Sequence, residues 1–202
     1  SVPESLRTSP ELASMLGDIA MVCEHFEEAV LWFERAEQRP GTASPMGALS
    51  LATAMVAMAV DRLPLGWSEL RDPDDRELAE RGHVQLELLR IRKLPLENAS
   101  ALKALLSNLA IACGLLGDRD GALMRAREAL DIDLSDAEMW QRWLSMALRF
   151  DASIDIDSAA ASAPLDPEVQ LALARLAAAA DRNELARRAF DALALREMTT
   201  SA

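Results

Sequence analysis

Apolar residues recur along this chain at intervals of three and four, the spacing that gathers them on one face of an α-helix. In residues 11–23, Leu12, Met15, Leu16 and Ile19 keep that rhythm, and in 26–37 Phe26, Ala29, Val30, Phe33 and Ala36 repeat it. Pro40 and Gly41 then stop the second segment. The same pattern predicts helices around 75–92, over 98–116 behind a cap at Asn98 or Ser100, over 120–131, and over 137–150 behind Asp133, Ser135 and Asp136. Two more follow, over 167–180 with Pro167 in the first turn and over 183–196. No segment alternates apolar and polar residues as a half-buried strand would. The prediction is an all-α protein of helix pairs joined by short turns.

One run breaks the amphipathic rule. No charged residue lies between Arg39 and Asp61, and Met46–Val60 reads MGALSLATAMVAMAV. A bilayer span needs about 20 predominantly apolar residues. This run is shorter, starts behind Pro45, and is diluted by Gly, Ser, Thr and Ala. It is expected to be a helix flanked by protein neighbours. Its third face is left to the chain's own Leu63–Trp67 (LPLGW), a second copy, or a partner.

The helix pairs resemble one another. A Leu followed by a small residue recurs at Leu16-Gly17, Leu51-Ala52, Leu109-Ala110, Leu144-Ser145 and Leu173-Ala174. The second helices carry Ala29, Phe33 and Ala36; Ala122, Ala126 and Ala129; and Ala186, Phe190 and Leu193. A small residue on one helix lets its neighbour approach to the short end of the roughly 8–10 Å interaxial range. One such pair cannot bury its apolar faces alone, so pairs stack into a solenoid.

On these residues the chain resembles the tetratricopeptide repeat (TPR) family. Residues 103–136 match best, through Leu109-Ala110, Gly117-Asp118, Ala122 and the Ala129–Asp133 tail, with Leu134 where a proline is customary. Residues 10–43 and 168–200 match through Leu16-Gly17, Ala29 and Phe33, and through Leu173-Ala174, Ala186 and Phe190. The resemblance implies a right-handed α-α superhelix of about five helix-turn-helix units, a single repeat domain over 1–202. Its units would be 10–43, 44–93 with an inserted connector at 61–75, 98–136, 137–166 with a shortened second helix within 154–163, and 167–200.

Composition narrows the partners. The chain has 202 residues, 50% hydrophobic and 27% charged, with a formal net charge of −12. That charge repels phosphate backbones and anionic headgroups, so nucleic acid and membrane surfaces are disfavoured and protein or peptide partners fit better. The two cysteines, Cys23 and Cys113, sit far apart in apolar-periodic segments. They are expected to be buried and inert, and a reducing, cytoplasmic setting is favoured. The opening SVPES reads as a cut from a longer chain, and a secreted or envelope parent would make the location periplasmic. Arginine far outnumbers lysine, alanine is abundant and tyrosine absent, a bias that suggests a GC-rich bacterial genome.

Catalytic chemistry is not indicated. His25 and His83 lack metal-spaced partners, and HExxH, GxSxG and P-loop patterns are absent. His25 reads as a turn or capping residue and His83 as a residue of the 75–92 helix. Asp118/Asp120, Asp131/Asp133/Asp136 and Asp151/Asp155/Asp157 fall at helix boundaries, where carboxylates cap free N–H groups. Gly121 does not complete a calcium loop, because the first ligand position would be Leu116. No cofactor, metal or catalytic residue is expected.

The resemblance to TPR proteins implies that the first helix of each pair lines a concave, partner-binding surface. Taking the residue before each Leu and those three and seven later gives Met15, Asp18 and Val22; Ser50, Thr53 and Ala57; Asn108, Ile111 and Leu115; Trp143, Met146 and Phe150; and Ala172, Arg175 and Ala179. Arg142 and Arg149 beside Trp143 and Met146 could take a carboxylate and an apolar side chain, or could pair with neighbouring acids. Asn108 and Arg142 resemble fragments of the clamp with which some TPR proteins hold a terminal carboxylate, although the lysines are missing. Leu49, Thr53 and Val56, with Met46 and Ala57, would form an uncharged stretch suited to an apolar peptide or a second copy. The expected function is a non-enzymatic adaptor for a peptide or partner subunit. The alternatives are a scaffold region of a bacterial envelope or exopolysaccharide-secretion protein, and an accessory segment of a multidomain enzyme.

Overall fold

The computed structural model describes residues 9–38, 44–63, 70, 72–92 and 98–200, with side chains as far as 192. Among the described residues there are ten helices and no strand: α1 (Pro10–Val22), α2 (Phe26–Glu37), α3 (Pro45–Asp61), α4 (Pro73–Ile91), α5 (Ala99–Leu115), α6 (Arg119–Ile132), α7 (Ala137–Arg149), α8 (Ile156–Ser162), α9 (Pro167–Ala179) and α10 (Asn183–Thr200). The packing resolves into two compact units, residues 1–121 and 122–202.

Caps punctuate the helices as the sequence suggests. Ser44 Oγ accepts from Gly47 N at 2.8 Å, Asn98 Oδ1 from Ala101 N at 2.9 Å, and Asp118 Oδ1 from Gly121 N at 2.9 Å. Asp136, Asp155 and Asp166 do the same for α7, α8 and α9. Each removes one of the unpaired N–H donors of a first turn. The aspartates at these boundaries thus serve the backbone, and no group of three or more His, Cys, Asp or Glu among the described residues is placed to hold a metal.

In the first unit α1 pairs with α2 and α3 with α4; α2 also packs on α3, α4 on α5, and α3 on α5. The core runs through Phe33, Met55, Leu86, Leu105 and Leu109, all essentially inaccessible. Its close approaches are built on small residues. A Cβ placed on Gly17 would lie 2.6–2.8 Å from the Phe33 ring, so α1 meets α2 only because position 17 has no side chain. On α1 the fully buried positions are accordingly Ala13, Gly17 and Ala20, whereas Met15 and Ile19 are 60% and 57% exposed. At Gly82 on α4 a Cβ would meet Val56 Cγ2 at 3.0 Å and the Ala52 carbonyl oxygen at 3.3 Å.

In the second unit α9 packs on α7, α10 and the short α8. Trp140 and Trp143 meet edge to face with ring centroids 5.7 Å apart, and Trp140 Nε1 donates to the Leu134 carbonyl at 2.8 Å. Trp140, Leu144, Val169 and Leu173 form the buried floor.

Four hairpin turns share one construction. After α1, α5, α7 and α9 the chain places Glu24, Gly117, Asp151 and Asp181 in the left-handed region, at φ 59°, 85°, 50° and 57°. Each is followed by the same long backbone bond, His25 N to Ala20 O, Asp118 N to Cys113 O, Ala152 N to Ala147 O and Arg182 N to Ala177 O, at 2.8–2.9 Å. This is the Schellman closure, which satisfies the last free carbonyls of a helix and sets the return angle. Its recurrence is a repeat written in backbone geometry.

His25 stands, as expected, in the turn between α1 and α2, at the N-cap position of α2, though its side chain makes no capping bond. Two expectations need correction. Cys23 is exposed, because it caps the end of α1 where the chain turns away from the core. Leu144-Ser145 is one residue out of register with the other pairs. Leu16, Leu109 and Leu173 lie eight residues before their left-handed residue, and the matching position before Asp151 is Trp143. Leu144 therefore stands where Gly17, Ala110 and Ala174 stand elsewhere; it is fully buried, and Ser145 faces solvent.

Candidate partner-binding surface

In the first unit the candidate surface is carried by α1, α3 and α5. Ser44 and Pro45 start α3, and an almost unbroken apolar sequence then lets it bury residues on several sides, since α2, α4 and α5 all pack on it. Those neighbours account for most of its uncharged character. Leu49 and Val56, expected on the open face, lie inside the core at 4% and 1% exposure. Met46, Ser50, Thr53 and Ala57 keep partial exposure. Asn98 starts α5, which brings Asn108 against this face, and Asn108 Nδ2 donates to Thr53 Oγ1 at 2.9 Å. Ile111, one turn on, is half-buried, and Leu115 is buried. On α1, Met15, Asp18 and Val22 are exposed, Val22 at 85%. Leu63 packs against the core and Leu70 is buried in it, while 64–67, the remainder of the expected LPLGW cover, lie outside the described residues.

In the second unit the turn register changes the reading of α7. Trp143 and Met146 are buried at 7% and 4%. The residues equivalent to Met15, Asp18 and Val22 are Arg142, Ser145 and Arg149, which are half-buried, exposed and exposed. Sequence reasoning had both arginines but missed Ser145; the spacing to the turn carries the signal, whereas the Leu-small motif does not. Arg142 Nη2 donates to Glu138 Oε1 at 2.8 Å across one turn. Arg149 lies 5.8 Å from the Phe150 ring centroid, and desolvation lowers its pKa from the usual guanidinium value. Arg127 of α6 covers the Trp143 ring at 5.1 Å and donates to Asp131 at 2.9 Å. On α9, the neighbour of α7, the equivalent stripe is Ala172, Arg175 and Ala179, with Arg175 exposed. In a chain of net charge −12, the stripe positions of α7 and α9 carry three arginines and no acid.

These surfaces can offer amide and hydroxyl groups with apolar side chains in the first unit, and guanidinium groups in the second.

The fold has solved counterparts. MamA MSR-1 C2 superimposes with a TM-score of 0.60 at 15% identity, over 95% of this chain and 98% of that one. A mutant form of MamA gives 0.55 at 17% identity, over 95% and 98%. This chain is an all-α, TPR-like helical repeat. No family model matches its sequence, and no curated protein matches it. No helix among the described residues is long and apolar enough to cross a membrane.

Proposed function

We propose that this chain is a non-enzymatic interaction module that holds an extended or helical segment of a partner protein on the exposed stripes of its first helices. In the first unit Met15, Asp18 and Val22, the Thr53–Asn108 pair and Ile111 would receive apolar side chains and backbone amides. In the second, Arg142, Arg149 and Arg175 would receive carboxylates, with Ser145 as a hydrogen-bonding neighbour.

The observation that carries the reading is the sign change. An acidic protein places arginines at the stripe positions of two adjacent first helices, and aspartates mainly at helix starts and turns. Guanidinium groups so placed favour acidic segments and disfavour basic ones.

Selection from a random peptide library on the full chain, followed by calorimetry, tests this. Selected peptides should be acidic with interspersed apolar residues. Arg142→Glu combined with Arg149→Glu should weaken them at least about tenfold, since each charged hydrogen bond is worth about 1.5–3 kcal/mol. Ile111→Glu should weaken those that use the first unit. Basic peptides, or affinities unchanged in a folded double variant, would refute the reading.

A further inference from the structure

Helices α7 and α9 are built to one plan. Both run for 13 residues behind an aspartate cap, Asp136 and Asp166, and both close on a left-handed aspartate, Asp151 and Asp181. Residue for residue, Trp140 corresponds to Gln170 and Trp143 to Leu173. The correspondence extends to a hydrogen bond. Trp140 Nε1 donates to the Leu134 carbonyl at 2.8 Å, and Gln170 Nε2 donates to the Pro164 carbonyl at 2.9 Å.

The bulk is not reproduced. On α7 the two indoles meet edge to face, and Leu130 of α6 is fully buried; the counterpart of Leu130 on α8 is Ala160. Where α7 sets two rings, α9 has an amide and a leucine, and a cleft of about 650 Å³ opens between α8, α9 and α10. Gln170 and Leu173 line it with Ala160 and Ala189, and Leu165, 75% exposed, lines it too. A space of that size is typical of sites for small rings and anchoring side chains. Gln170 is only 6% exposed, yet among the described residues no donor reaches its Oε1, and that oxygen is not sealed off. The amide thus offers the cleft an acceptor. Arg182 and Arg188 also line it, the first paired with Asp157 and the second 3.6 Å from Glu184. Guanidinium beside ring is the arrangement that Arg127 and Trp143 already show.

We propose that this cleft binds an indole ring, the group that the corresponding positions of α7 supply from within the chain. The ring packs on Leu173 and Ala189, its N–H donates to Gln170 Oε1, and the arginines close over its exposed edge. Gln170 and Leu173 lie on the side of α9 turned away from Arg175, by the 3.6-residue turn of the helix. The site therefore stands or falls independently of the proposed peptide binding.

Amide NMR titration of the full chain with indole, up to about 10 mM, tests the assignment over the range of small, weak ligands. Saturable shifts centred on α8, α9 and α10 are expected. Gln170→Trp fills the cleft as Trp140 fills its counterpart; it should abolish those shifts and raise the thermal midpoint by about 2–4 °C. Gln170→Met keeps the length of the side chain without its acceptor. It should weaken indole at least about fivefold and leave benzothiophene, the same shape without the N–H, within about twofold. Titration with N-acetyltryptophanamide separates the sources. Binding of indole alone assigns the site to a free small molecule, and binding of both assigns it to a tryptophan side chain presented by a peptide. No saturable shift with indole, shifts centred elsewhere, or a folded Gln170→Trp protein with the parent's affinity would overturn the proposal. So would an equal effect of Gln170→Met on the two rings, which decides the matter even where the tryptophan variant does not fold.

Discussion

Asn108 on α5 donates to Thr53 on α3 at 2.9 Å, joining first helices of neighbouring hairpins across 55 residues of sequence. Both residues are half-buried, so water replaces the lost partner only in part when either is removed. Asn108→Ala should lower stability by about 1 kcal/mol, and Thr53→Val by a similar amount because it strands the amide donor. Thr53→Val combined with Asn108→Ala should fall short of the sum by about 0.5–1.5 kcal/mol. Urea unfolding of the four proteins measures that coupling. Strict additivity would mean that the bond does not hold the helices in register.

The four left-handed turns give a test with opposite signs at equivalent positions. A Cβ added at Gly117, where φ is 85°, would meet nothing within 4 Å, so Gly117→Ala adds only backbone strain. It should cost about 1–2 kcal/mol. Glu24 holds the same place at φ 59° with a side chain already bearing that strain. Glu24→Gly should therefore raise the unfolding midpoint, by somewhat less than about 1 kcal/mol after the extra flexibility of glycine in the unfolded chain. Thermal unfolding of both variants decides it; two shifts of one sign would contradict the strain account.

Helix positions were legible because period and caps are local. Phe26–Glu37 is the span the apolar rhythm predicts, and Asn98 and Asp136 are among the caps proposed from sequence. The shortened second helix within 154–163 emerges as Ile156–Ser162. What was not legible depends on neighbours. Leu49 and Val56 look like an open face in a one-dimensional reading, yet α2, α4 and α5 surround α3. The register of α7 was misread because Leu144-Ser145 imitates the Leu-small pair, and only the turn at Asp151 exposes the slip. The arginines of α7 and α9 were visible individually; their alignment became visible only with that register.

Val56 and Gly82 form a close contact that substitution should make plain. Gly82→Ala brings a methyl to 3.0 Å from Val56 Cγ2 and 3.3 Å from the Ala52 carbonyl, against a backbone atom that cannot swing aside. A loss of about 1–3 kcal/mol is expected, as for other overpacked cores. Gly82→Ala with Val56→Ala should recover part of it, since one of the two clashes disappears. Val56→Glu buries a carboxylate in the core and should unfold the chain, visible as lost helical circular dichroism at about 25 °C. A folded Val56→Glu protein would mean that α4 is not seated on α3 as described.

Glu37 closes α2 beside the start of α3, and its carboxylate accepts from the Ser44 backbone N–H. Desolvation is the larger influence and raises its pKa above the ordinary glutamate value; the Ser44 bond opposes it. A carboxyl group whose pKa is raised on folding favours the native state in its protonated form. Its contribution is fully present below the unfolded-state value and is lost as pH rises through the folded-state value. At neutral pH, then, the ionised group is a mild liability, small because the side chain remains largely solvated. Glu37→Gln should raise the urea midpoint at about pH 7 and leave it unchanged at about pH 3, where both side chains are neutral. A variant less stable than the parent at neutral pH would show that the Ser44 N–H and the positive end of α3 outweigh desolvation.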